Sequence, residues 1–266
     1  MSPRSIELAG ATIQIFPDAA TACHAAADRI ARVIASATAA RGRAVLGLAT
    51  GKTPRSVYAR LVERQRSGEL AFRNVSTYNL DEYYPIAPTD PQSYRSYMDQ
   101  ALFHHVDIAP NQTHLFDGTV PEAFVADHTT QYDRWIAAEG GLDVQLLGIG
   151  RNGHIGFNEP SDLSVEEALK LPSRLMNLAP TTLEDASVDF DHPALVPRRA
   201  LTLGVAPILG ARLILVLAFG AKKAEIVARA LTGPTTAQVP ATLLRAAGGR
   251  VAWMLDESAA AGLVGD

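Results

Sequence analysis

Strand-length runs, several of them almost wholly apolar, alternate along the chain with longer stretches of helical periodicity. Residues 44–48, 74–79, 144–147, 213–218 and 251–255 have the length of strands, and polar or glycine turns follow them. Such runs fit strands buried on both faces of a parallel sheet. Residues 6–16 contain the alternation Ala11-Thr12-Ile13-Gln14-Ile15, which reads as one edge strand. The intervening stretches predict an Ala-rich helix capped by Asp18 and reaching about residue 40, and further helices over 91–103 and 124–138. Another follows Thr53 as N-cap with Pro54 at its first position, and one more begins at Lys222 and Lys223. Six or seven strands alternating with helices predict an α/β fold: a doubly wound, mostly parallel sheet with helices on both faces, in a single domain. Residues 161–197 interrupt the pattern. They are polar, irregular and rich in Asp and Pro, longer than an ordinary connection, and read as a lid.

Composition narrows the functional classes. With 266 residues, 47% of them hydrophobic, the chain can bury a substantial core. The net charge of −4 carries no basic block, which argues against nucleic acid as a partner. A lone cysteine, Cys23, excludes an intramolecular disulfide and fits a reducing compartment. The N-terminal stretch has no apolar core of signal-peptide length, and no run approaches the roughly twenty apolar residues of a membrane span. The expectation is a cytoplasmic enzyme with no membrane partner.

Candidate chemistry clusters where strands end. The stretch 147–160, LGIGRNGHIGFNEP, gathers His154, Glu159, Asn152 and Asn158 among glycines that let the backbone fold back on itself. An imidazole titrates near neutral pH and a carboxylate can orient it, so His154 and Glu159 suit proton transfer. The TGKTP turn leads into a helix, offering its free N–H groups, the hydroxyls of Thr50 and Thr53, the backbone of Gly51 and the cation of Lys52 to an anion such as phosphate. It matches neither the P-loop nor the dinucleotide fingerprint, so it proposes a phosphate without a nucleotide. Asp81 and Glu82 follow the 74–79 strand at the ligand-binding edge of such a sheet; adjacent side chains on extended backbone diverge, so Asp81 is assigned to the pocket and Glu82 to structure. Of the lysines 222 and 223 at a helix start, one is a candidate phosphate ligand. His104, His105 and Asp107 read as a solvated turn, and no metal-ligand spacing is present.

The stretches LGLATGKTP, NLDEYYPI, GIGRNGHIGFNEP, RALTLGV and FGAKKAEIVARALTGPTTAQVPATLL resemble, in order over nearly the whole chain, the glucosamine-6-phosphate deaminase family. The FNEP tail separates it from the related 6-phosphogluconolactonases. The resemblance implies conversion of an amino-sugar 6-phosphate and water to fructose 6-phosphate and ammonium, with no metal or organic cofactor. Asp81 would move a proton between the second and first sugar carbons, His154 would open the ring, and Glu159 would work with it. Gly51, Thr53 and Lys223 would hold the phosphate of the small-molecule substrate. A homo-oligomer is compatible with the resemblance, since relatives range from monomers to hexamers.

Three departures from the family pattern shape the expectations. Asn152 stands where some relatives have an aspartate, and is expected to fix the imidazole tautomer without supplying charge. The family's arginine before two phenylalanines has no counterpart near Val188-Asp189-Phe190, and Lys52 is expected to replace that charge. The basic residues of an allosteric site are not preserved in SRLMNL, so no activation by N-acetylglucosamine 6-phosphate is expected. The competing readings are a deaminase for galactosamine 6-phosphate, a 6-phosphogluconolactonase, and a non-catalytic sugar-phosphate-binding regulator.

Overall fold

A computed structural model describes residues 3–263. In chain order, β1 (Arg4–Leu8) and β2 (Ala11–Phe16) precede the long helix α1 (Ala19–Arg41), whose N-cap is Asp18 as the sequence predicts. Then come β3 (Ala44–Leu48), α2 (Lys52–Arg66), β4 (Val75–Asn79), β5 (Asp81–Tyr84), α3 (Tyr94–Ala101) and β6 (Thr113–His114). The helix α4 (Val125–Ala138) leads to β7 (Val144–Gly148), and α5 (Val165–Leu169), β8 (Arg174–Asn177) and α6 (Pro180–Ala186) follow. The chain continues through β9 (Arg199–Thr202), α7 (Val205–Leu209), β10 (Ile214–Ala218), α8 (Ala224–Thr232) and β11 (Val251–Asp256).

Eight strands form one sheet in the order β1-β2-β11-β10-β7-β3-β4-β6, parallel throughout except for the β1/β2 pair. Its two faces are covered as the alternation in the strands requires. On one face, Ala44, Leu46 and Leu48 of β3 pack with Ile30 and Ile34 of α1 and Val57 and Leu61 of α2. On the other, Leu147 and Val216 pack with Tyr132 and Ile136 of α4, Ile226 of α8 and Leu244. Fully buried Trp253 is the largest side chain in this core.

The structure corrects four expectations. Residues 6–16 hold a hairpin rather than one strand: Ala9 and Gly10 have φ of 53° and 76°, the two left-handed positions that match a two-residue turn to strand twist. The main sheet has eight strands, more than the six or seven expected. Helix α2 starts at Lys52 with Gly51 as N-cap, so Thr53 and Pro54 are its second and third residues. Residues 161–197 are not an irregular connection, because β8 lies within them and pairs antiparallel with β9, which also pairs with β5. This second, three-stranded sheet sits over the C-terminal ends of the parallel strands, tied to them through the backbone at Leu80. Leu80 N–H donates to Leu48 O at 2.8 Å, and its carbonyl accepts from Leu203 N–H at 2.7 Å.

Just past the end of β9, against the segment that leads into β8, the packing has no spare volume at Gly204. A Cβ there would lie 2.2 Å from Leu171 O, a backbone atom that cannot swing away. Gly204→Ala is therefore expected to destabilise the fold by about 2 kcal/mol, the scale of core overpacking, and to lower Tm by several degrees in scanning calorimetry. An unchanged Tm would show that the backbone there yields.

Candidate active site

The parallel strands bring the candidate residues to one edge of the sheet. After β3, the chain turns at Gly51, whose φ of 108° suits glycine, and enters α2 with no side chain capping its first N–H groups and no acid in its first turn. Tyr97 of α3 donates its hydroxyl to Gly51 O at 2.6 Å, fixing the turn from the side. The Tyr94 phenol lies beside Thr50 and within reach of the Asp81 charge, so α3 borders both the turn and the carboxylate.

Asp81 opens β5, opposite Thr202 of β9, and is 6% exposed. Its Oδ1 has no hydrogen-bond partner among the described residues. Burial, and secondarily the charge of Glu82, pushes its pKa well above the usual carboxylate range. Glu82 points the other way, as expected. It accepts the N–H groups of Tyr83 (2.9 Å), Tyr94 (2.9 Å) and Arg95 (3.0 Å), and so holds the start of α3. Burial raises its pKa to about 7 against the pull of those three donors.

The loop after β7 folds as its glycines allow. Gly150 N–H donates to His154 O at 2.9 Å, and a Cβ on Gly150 would lie 2.3 Å from the His154 ring. His154 Nδ1 lies 3.5 Å from Glu159 Oε2 and 3.3 Å from Thr182 Oγ1. Glu159 also accepts from Asn152 Nδ2 (2.9 Å) and Ala179 N–H (3.2 Å). Burial alone would raise its pKa, but His154, Thr182 and Asn152 outweigh it and hold the carboxyl at about 2. An ionised Glu159 beside Nδ1 leaves Nε2 as the ring nitrogen without a partner among the described residues.

Asn152 does not do what was expected of it. Its amide binds Glu159 and Thr181, while its Oδ1 accepts from the His154 backbone N–H at 3.1 Å. It orders the carboxylate and the loop, and Glu159 and Thr182 meet the imidazole instead. Asn158 is structural: it donates to Ile155 O and Leu203 O and accepts from Arg174. Lys223, at the start of α8, donates to Ile149 O at 2.8 Å within the His154 loop, and burial lowers its pKa. Lys52 is turned to the 161–197 segment, its Nζ 3.2 Å from Asp189 with 76% of the side chain exposed. Thr182 and the aromatic cluster of Tyr83, Tyr94, Phe157 and Phe190 were not foreseen. The one cue for Thr182 was a hydroxyl pair just after Pro180, at a helix start. Among the described residues, no group of three or more His, Cys, Asp or Glu could hold a metal ion, and no helix is long and apolar enough to cross a membrane.

The profile described as "Glucosamine-6-phosphate isomerases/6-phosphogluconolactonase" matches residues 17–253. The chain belongs to this family. It is 44% identical over 248 residues to the glucosamine-6-phosphate deaminase of Rhodopirellula baltica, covering 93% of this chain and 94% of that one. It is 43% identical to that of Halothermothrix orenii, covering 82% and 87%. A solved monomeric glucosamine-6-phosphate deaminase superposes with a TM-score of 0.87 at 34% identity, over 94% of this chain and 99% of that one. A 6-phosphogluconolactonase from Trypanosoma brucei, at 22% identity and a TM-score of 0.78 over 98% and 100%, shares the fold.

The raised Asp81 pKa makes a stability prediction. The folded chain holds that proton more tightly than the unfolded chain, whose value is near 3.8. The associated stability is full below the unfolded value and is lost as pH rises through the folded one. Asp81→Asn removes the cost of ionising a buried group. At about pH 8 its Tm should exceed that of the parent by roughly 2–4 °C, about 1 kcal/mol, with the gap closing toward about pH 4. A gap that does not vary with pH would contradict a buried, unpaired carboxylate.

Proposed function

We propose that the protein is a glucosamine-6-phosphate deaminase, converting glucosamine 6-phosphate and water to fructose 6-phosphate and ammonium. The observation that carries this reading is the pairing of a buried carboxylate without a partner, Asp81 Oδ1, with a His154–Glu159 couple at the same sheet edge. Family membership and deaminase relatives at 43–44% identity support it.

The chemistry assigns the two groups different protons. Opening the pyranose moves a proton from the anomeric hydroxyl to the ring oxygen, a task for His154 acting through Nε2, with Glu159 and Thr182 fixing Nδ1. In its carboxylate form Asp81, which has no donors of its own, takes the proton from the second carbon of the open aldose and delivers it to the first. Its raised pKa makes it a stronger base than an exposed carboxylate. A second proton passes from the ammonium nitrogen to the aldehyde oxygen, and the iminium that results at the second carbon adds water, the carbon–nitrogen bond breaks, and nitrogen leaves as ammonium. Each step moves protons and water only, so the reaction as written calls for no electron acceptor. Thr50, Gly51, Thr53 and Lys223 are the candidates to hold the phosphate, which anchors the sugar away from the reacting carbons. The 161–197 segment serves as a lid in this reading, since Thr182 and Ala179 N–H complete the His154–Glu159 couple. A cytoplasmic location suits a phosphorylated substrate that does not cross membranes unaided.

Ammonium release from glucosamine 6-phosphate and galactosamine 6-phosphate, assayed in parallel, tests this reading. Release from the glucosamine substrate is expected. In Asp81→Asn the rate should fall by about a thousandfold, and His154→Gln should cost about a hundredfold, the range for a removed acid–base group. Release from the galactosamine substrate alone would reassign the epimer, and silence with both would reject the deaminase.

A further inference from the structure

A cavity of about 430 Å³ opens beside the turn that precedes α2, bordered by Gly51, Lys52, Arg55 and Tyr97 on one side and by Asp189 and Phe190 on the other. Its size suits a small phosphorylated sugar. Two cations line it, and they are in different states. Lys52 is paired with Asp189 at 3.2 Å, so its charge is offset by the 161–197 segment. A phosphate arriving at Lys52 would also meet the Asp189 carboxylate.

Arg55 is bound by no carboxylate among the described residues, and its guanidinium carbon sits 4.9 Å from the centroid of the Tyr97 ring. Helical side chains lean toward the N-terminus of their helix, so a residue four positions after Gly51 covers the turn at Gly51 and Lys52. Tyr97 is tied to that same turn through its hydroxyl bond to Gly51 O. Burial raises the Tyr97 phenol to about 12, against the opposing influence of Arg55, so it remains a donor at neutral pH. The other basic side chains near the site are engaged: Lys223 on Ile149 O, Arg151 on Glu184 and Asp185, and Arg174 on Asn158.

We infer that Arg55, held against Tyr97 over the start of α2, is a phosphate-binding and specificity-determining residue, and that Lys52 is the anchor of the 161–197 segment. A planar guanidinium offers a paired fork of donors to phosphate oxygens, which suits it to select the phosphorylated sugar over the free one. The inference rests on the deaminase reading, in that its substrate carries a 6-phosphate.

Isothermal titration of the purified protein with fructose 6-phosphate, inorganic phosphate and fructose separates the roles, using the parent, Arg55→Ala, Arg55→Lys and Lys52→Ala. Arg55 is exposed, so its substitutions leave the core intact. Arg55→Ala should weaken fructose 6-phosphate and inorganic phosphate by about 10- to 100-fold, the effect of one charge-assisted contact. Arg55→Lys should recover part of that loss, and the response to fructose should not change. In turnover the effect should fall on KM rather than kcat. Unchanged fructose 6-phosphate affinity in Arg55→Ala would overturn the inference, as would a larger loss in Lys52→Ala. A parent protein that binds fructose 6-phosphate through Arg55 but releases no ammonium would reject the deaminase and keep the phosphate site. Ammonium release with unaltered KM in Arg55→Ala would do the reverse.

Discussion

The burial of Asp81 without a compensating donor is the constraint around which the molecule is arranged. A lone ionised carboxylate in a protein interior is costly, and packing alone would place an apolar residue there. The site persists because the backbone on both sides of it is fixed. Leu80 is hydrogen-bonded to Leu48 before the carboxylate, and Glu82 holds the start of α3 after it. Three residues thus divide the work. One joins the two sheets, one carries a buried carboxylate without a donor, and one absorbs the free N–H groups of a helix.

The second sheet builds its surroundings around this buried carboxylate. Strand β5 carries Asp81, β9 pairs with it, and β8 brings in the 161–197 segment. The Thr202 hydroxyl, opposite Asp81, accepts the Phe157 N–H at 3.0 Å, so the loop bearing His154 is braced by the strand that flanks Asp81. The segment then returns Thr182 to the imidazole and Ala179 N–H to Glu159. Preorganisation of this kind is what proton transfer needs, because the groups are set before the substrate arrives.

Much of this was legible in the sequence. The alternation of short strands and helices predicts the doubly wound sheet, and the glycine-bounded loop predicts where His154 and Glu159 meet. Asp81 was separated from Glu82 by the divergence of neighbouring side chains on extended backbone alone. What escaped depends on contacts between distant parts of the chain. Strand β8 is partly exposed and short, and only its pairing with β9 makes it a strand. The start of α2 slipped because Thr and Pro mimic a cap, whereas Gly51 takes the left-handed turn the backbone requires. Asn152 was placed on the ring by proximity in sequence, but the carboxylate it reaches lies seven residues on. The tie between Lys52 and Asp189 joins the start of α2 to the 161–197 segment, two stretches with no shared pattern.

If Asp81 moves a proton between the first and second sugar carbons, isotope exchange reads that step directly. Fructose 6-phosphate incubated with the protein and ammonium in heavy water should take up deuterium at one of the two hydrogens on its first carbon. That uptake should vanish in Asp81→Asn, whose polar neighbourhood is otherwise preserved. Exchange that persists in Asp81→Asn, or is absent from the parent protein, would contradict the account.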